Sequence, residues 1–157
     1  MERTIPIFLV LLFVSCSSIK EDAKERGVPR INQLVTDMSS LQEPQVIIYS
    51  LPYERMFLGS VSSSMMVQFC ELPLKTNLTR MSSSDLLRAL EQIRPANNRS
   101  HFDGRWGAKV ISTTGDTLHE IYVDRWGRQA IIDGQPFNRA NMLRHWFENH
   151  FKTDPKA

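Results

Sequence analysis

Apolar residues recur along this chain at two distinct spacings. Ile31, Leu34, Val35, Met38 and Leu41 follow one another at three- and four-residue steps, the period of one helix face. Pro29 suits the first position of that helix, and Pro44 ends it. Residues 45–51 (QVIIYSL) are β-branched and aromatic, which predicts a strand closed by Pro52. Residues 55–61 and 65–72 read as two further strands, separated by Ser62-Ser63-Ser64. Leu86, Leu90 and Ile93 stripe a second helix with its cap among Ser82-Ser83-Ser84. Asp85 suits the positive end of that helix, Pro95 stops it, and residues 96–100 read as a polar loop.

The C-terminal third carries the clearest alternation. Residues 109–113 and 117–123 flank Thr114-Gly115-Asp116, the pattern of a hairpin with glycine in its turn. Arg125-Trp126-Gly127 makes a second turn, and residues 128–132 return as a third strand ending at Asp133-Gly134. Asn138 is placed to cap a last helix, with Phe137 and Met142 stapling its start. Ala140, Leu143, Phe147 and Phe151 then share one helix face, with Trp146 beside them. The expected fold is α+β: an antiparallel sheet with a C-terminal three-stranded meander and about three helices packed on one face.

The N-terminus follows a different pattern. Residues 5–14 (IPIFLVLLFV) are apolar but fall short of the roughly 20 residues that a spanning helix needs. A polar start containing Arg3, an apolar run and small residues after it predict a signal peptide over residues 1–15. Phe13-Val14-Ser15-Cys16 resembles the lipobox of bacterial lipoproteins, with Phe13 where Leu is more usual. That resemblance implies a diacylated Cys16 as the first mature residue, in the bacterial outer membrane on its periplasmic face. Ser17 matches the outer-membrane sorting pattern, since inner-membrane retention typically has Asp there. Residues 16–27 would form the lipidated cysteine and a short charged tether, and residues 28–157 a single domain. Cleavage after Cys16 or Ser18 would give a soluble secreted protein instead. The sequons Asn77-Leu78-Thr79 and Asn98-Arg99-Ser100 would matter under that alternative.

Composition narrows the classes. With 157 residues, the length fits one domain. Nineteen basic against 17 acidic residues leave a net charge of +2, too balanced for a dedicated nucleic-acid binder. Two cysteines exclude a disulfide scaffold and a multi-thiolate zinc site. With Cys16 lipidated, Cys70 has no intramolecular partner, and its apolar neighbours predict an inert thiol in a buried strand.

Candidate chemistry is sparse. Arg105-Trp106-Gly107 is echoed 20 residues later by Arg125-Trp126-Gly127, with Asp103 and Asp124 just upstream. Arg105, Trp106, Arg125 and Trp126, with Tyr122 as a neighbour, form the candidate binding surface, because Trp and Arg are enriched at binding hot spots. Turn chemistry explains the same residues: glycine bends, indoles cover a sheet end, and aspartates pair with arginines. His101, His119, His145 and His150 fall at spacings that suit no three-ligand metal site, and solvated or locally bonded histidines are expected. No Gly-x-Ser-x-Gly elbow or phosphate-binding glycine loop occurs, so no cofactor or catalytic residue is assigned.

These features describe a non-catalytic, lipid-anchored envelope protein whose domain binds another protein. Small exported lipoproteins also resemble, in size and address, the immunity proteins that protect bacteria from envelope-acting toxins. An envelope hydrolase without a recognisable motif is the third alternative. Lipidation has a direct consequence: the mature chain starts at Cys16 with added acyl mass, and Cys16→Ser loses both that mass and membrane association. Intact mass and membrane fractionation check this, and an unmodified chain starting at Ser17 or Ile19 refutes it.

Overall fold

A computed structural model describes residues 30–41, 43–52, 60–97 and 101–151 of the chain. The expected signal peptide, Cys16, the tether, most of the strand expected at 55–61 and the second sequon lie outside these residues. The described chain is mixed α+β and mostly sheet. Helix α1 covers residues 30–40 and leads into β1 (Gln45–Ser50). Then come α2 (Ser63–Phe69), β2 (Leu74–Asn77), α3 (Arg80–Gln92) and β3 (Arg94–Pro95). Strands β4 (Gly104–Ile111), β5 (Thr117–Asp124), β6 (Gln129–Ile132) and β7 (Gln135–Asn138) run consecutively before α4 (Asn141–His150). All seven strands join one antiparallel sheet in the order β2-β1-β4-β5-β6-β7-β3.

Alternation along the strands sorts side chains onto two faces. Ile48, Ala108, Ile121 and Ile132 sit side by side across β1, β4, β5 and β6. Trp106, Val123, Ala130 and Phe137 form a second such row. Both rows are buried in one core with Leu34 and Met38 of α1, Leu86, Ala89 and Leu90 of α3, and Leu143, Trp146 and Phe147 of α4. Three helices thus cover one face, as the apolar periodicity implies. Helix α2 lies on the other face, where Met66 joins Leu51, Val61, Phe102, Tyr122 and Ile131 in a smaller core.

Several local expectations are corrected. Residues 65–72 are not a strand: residues 63–69 are helical, because Ser62 caps them by accepting the Met65 N–H at 3.2 Å. Helix α3 starts at Arg80 with Thr79 as its cap, which accepts the Ser82 N–H at 3.2 Å. The three serines therefore occupy its first turns. Phe137 is a buried residue of β7 and Met142 is exposed, so no staple forms at α4. Asn138 ends β7, and the α4 N-cap position is Ala140, without a side-chain cap. The meander continues through β7 into a fourth strand, and β2 and β3 close the two edges. Cys70, a free thiol among the described residues, is half-buried at the C-terminus of α2 instead of inside a strand.

Gly107 shows how tightly the second face is built. It sits between Tyr49 and Tyr122 in register, and a Cβ there would lie 2.6 Å from the Tyr122 ring. Gly107→Ala therefore overpacks the row and is expected to lower unfolding stability by about 1–3 kcal/mol. Urea unfolding checks this, and an unchanged midpoint would show that the ring relaxes freely.

Candidate functional site

The five residues of the expected surface are divided by the structure. Trp106 lies within β4, only 5 % exposed, with its ring stacked on Phe147 at 5.6 Å. Tyr122 is buried on the opposite face, and burial pushes its hydroxyl pKa up. Arg105 is buried as well. Its guanidinium donates to the Pro52 carbonyl at 3.2 Å and to the Asp103 carboxylate at 3.1 Å. These three residues brace the sheet, and a shared surface with the second tryptophan does not exist. Trp126 alone among the three tryptophans is exposed, at 49 %, with Arg125 half-buried beside it.

The turn that presents Trp126 is built by Asp124. Its Oδ1 accepts the Arg128 N–H at 2.8 Å and the Gln129 N–H at 3.1 Å, and its carbonyl accepts from Gly127 at 3.1 Å. Burial raises the Asp124 pKa, and the backbone amides of Gln129, Arg128 and Gly127 pull it back. Gly127 has φ 67°, and a Cβ there would lie 2.8 Å from the Asn141 Cα. The turn is thus held against the first turn of α4. The Arg125 N–H adds a bond to the Asp103 carbonyl at 2.8 Å, and the Arg139 N–H donates to the Arg128 carbonyl at 3.0 Å. Arg128 places its guanidinium 5.8 Å from the centre of the Trp126 ring, a cation–π arrangement. Met142 is exposed on the adjoining start of α4.

A second constellation lies at the other end of β5. His119 is buried, with Nδ1 2.8 Å from Asp133 Oδ2 and Nε2 2.8 Å from Asp37 Oδ2. Asp133 also accepts the Glu120 N–H at 2.8 Å, and its carbonyl accepts from Arg30. Gln33 donates to the second oxygen of Asp37 at 2.8 Å. Two carboxylates on the two ring nitrogens match an imidazolium, which donates from both. The hydrogen bond to Asp133 is the largest cause of the raised His119 pKa, burial opposes it, and the bond to Asp37 adds to it. This clamp joins α1 to the sheet, and both of its acids already hold donors. Sequence reasoning missed it because Asp37 is 82 residues away. His145 pairs with Glu148 at 3.2 Å and His150 with Asp85 at 3.1 Å, while His101 is exposed. No group of three or more metal-ligating side chains is arranged around a common point among the described residues.

Comparison with known protein families, with curated proteins and with solved structures finds no match to this chain. No helix among the described residues is long and apolar enough to cross a membrane.

The His119 clamp makes stability depend on pH in a defined direction. Its folded pKa lies above the ordinary 6.5, so its contribution is complete below pH 6.5 and is lost as pH rises through the raised value. The urea midpoint should therefore fall on going from slightly acid to alkaline buffer, and His119→Gln should flatten that profile. A wild-type midpoint that rises or stays level over that range would refute the doubly bonded imidazolium.

Proposed function

We propose that this protein is a non-catalytic, lipid-anchored envelope protein that binds another protein through the end of the sheet carrying Trp126. One observation carries the reading: a tryptophan held half-exposed by a turn with several backbone hydrogen bonds, beside arginines and an exposed methionine. Core formation does not require that indole, whereas the other two tryptophans are 5 % and 3 % exposed. A rigid turn lowers the ordering cost of binding, and Trp and Arg are the residue types that dominate interfaces.

The lipid anchor rests on the lipobox-like Phe13-Val14-Ser15-Cys16 and places the domain on the periplasmic face of the outer membrane. Several acyl chains at about 0.8 kcal/mol per buried CH₂ would hold it there permanently. Arg30, the first described residue, lies at the β6–β7 turn, where it meets Asp133. Trp126 lies past the opposite end of β5, beyond Asp124, which is about 14 Å along the strand from the Glu120 level of Asp133 at the usual rise per residue. The start of α1 and Trp126 therefore lie toward opposite ends of β5.

A photo-crosslinking residue introduced at position 126 of the full chain in its native envelope tests this reading. The expected outcome is a discrete crosslinked protein, absent when the probe replaces Leu118, an exposed residue near the opposite end of β5. Trp126→Ala should keep a cooperative thermal melt with stability within about 0.5 kcal/mol of the parent, because it empties no core position. The absence of any protein adduct at 126, or a loss of folding in Trp126→Ala, overturns the reading.

A further inference from the structure

The charged groups around Trp126 specify the chemistry of what binds there. Arg125, Arg128, Arg139 and Arg144 lie on the segments that meet at this end of the sheet, and no lysine is among them. The connections are explicit: the Arg139 N–H bonds the Arg128 carbonyl, whereas Arg94, next to Asn138 across β3 and β7, gives its guanidinium to the Glu91 and Ile93 carbonyls at 2.8 Å. Gly127 packs beside Asn141 and Arg144. Arg94, Arg128 and Arg139 are exposed.

The nearby carboxylates are already engaged. Asp124 is buried under the turn amides, Asp103 holds Arg105, and Glu148 holds Arg144 at 3.4 Å and His145 at 3.2 Å. A chain with a net charge of only +2 thus concentrates guanidinium groups around its exposed indole. Guanidinium matches carboxylate in a two-point, planar hydrogen-bonding geometry that lysine lacks.

Resting on the binding reading above, we infer that the partner presents an acidic segment, with an apolar side chain seated on Trp126 and Met142 and flanking carboxylates on Arg128 and Arg139. Exposed guanidinium groups beside an apolar ring fit carboxylates flanking an apolar side chain, which favours a protein segment; the vesicles read the membrane alternative.

The test uses the full mature chain carrying Cys16→Ser and a dye-labelled, glutamate-rich peptide with one central phenylalanine. Controls are the lysine counterpart of that peptide and phosphatidylglycerol vesicles. Peptide anisotropy reads binding. Acrylamide quenching of tryptophan emission locates it, because Trp126 is the accessible indole. The acidic peptide should bind, shield Trp126, and weaken severalfold as salt shortens the screening length from about 10 Å to about 3 Å. The double variant Arg128→Glu/Arg139→Glu should weaken it about tenfold or more while melting cooperatively, and Trp126→Ala should weaken it as well.

The inference is overturned if the acidic peptide does not bind, if the charge-reversed variant binds it equally, or if vesicles alone shield Trp126. Crosslinking at position 126 separates the two levels. A protein adduct that persists in the charge-reversed variant leaves the binding reading standing and removes the acidic partner. No adduct in either chain removes both.

Discussion

The domain is organised around the stacking of Trp106 on Phe147. The two rings lie 5.6 Å apart at 18°, joining the interior strand β4 to α4. Trp146 meets Phe147 edge-on at 4.7 Å, and Phe151 meets Trp146 at 5.1 Å. Such pairs contribute about 0.5–1.5 kcal/mol beyond the area they bury. Space for the large rings comes from their neighbours: Ala130 shares the row of Trp106, and Ala108 lies in the next row. The same helix sets the position of other parts. The Trp146 indole N–H donates to the Ser82 carbonyl at 2.8 Å, and His150 reaches Asp85, so α3 is held by α4. Gly127 rests against Asn141, so the turn that exposes Trp126 is held by α4 too.

Two aspartates close the two ends of β6 in different ways. Asp124 directs its carboxylate at backbone amides within its own turn, which makes the turn self-contained and leaves its side chains facing outward. Asp133, at φ 48°, bonds one backbone amide and gives its other oxygen to His119. His119 then reaches Asp37 on α1. One end of the sheet is therefore tied to the N-terminal helix by buried charge, and the other is free to present an indole among guanidinium groups. Attachment to α1 and display of Trp126 are therefore separated along β5.

Much of the fold is legible in local patterns, and the failures have physical causes. The faces of α1, α3 and α4 and the β4–β5 hairpin follow from the periods of 3.6 and 2, which depend only on near neighbours along the chain. Strands β2 and β3 are different. Leu74–Asn77 is largely exposed, and Arg94–Pro95 is a strand only because it pairs with β7. Residues 65–72 form a short apolar run that fits either period, and the Ser62 cap was the one local sign of helix.

The tripeptide Arg-Trp-Gly separates local from global control. Its first copy continues a strand, so Trp106 enters the core and Arg105 is buried against Asp103. Its second copy follows Asp124, whose carboxylate captures the next amides and turns the chain, so Trp126 stays outside. The letters fix helix faces, the hairpin glycine and the apolar start of the chain, because those depend on spacing along the backbone. Which tryptophan faces solvent, which arginines gather, and which carboxylates meet His119 depend on sheet register and on residues up to 82 positions apart. Those arrangements exist only once the strands have paired, since burial and charge pairing are properties of neighbours in space.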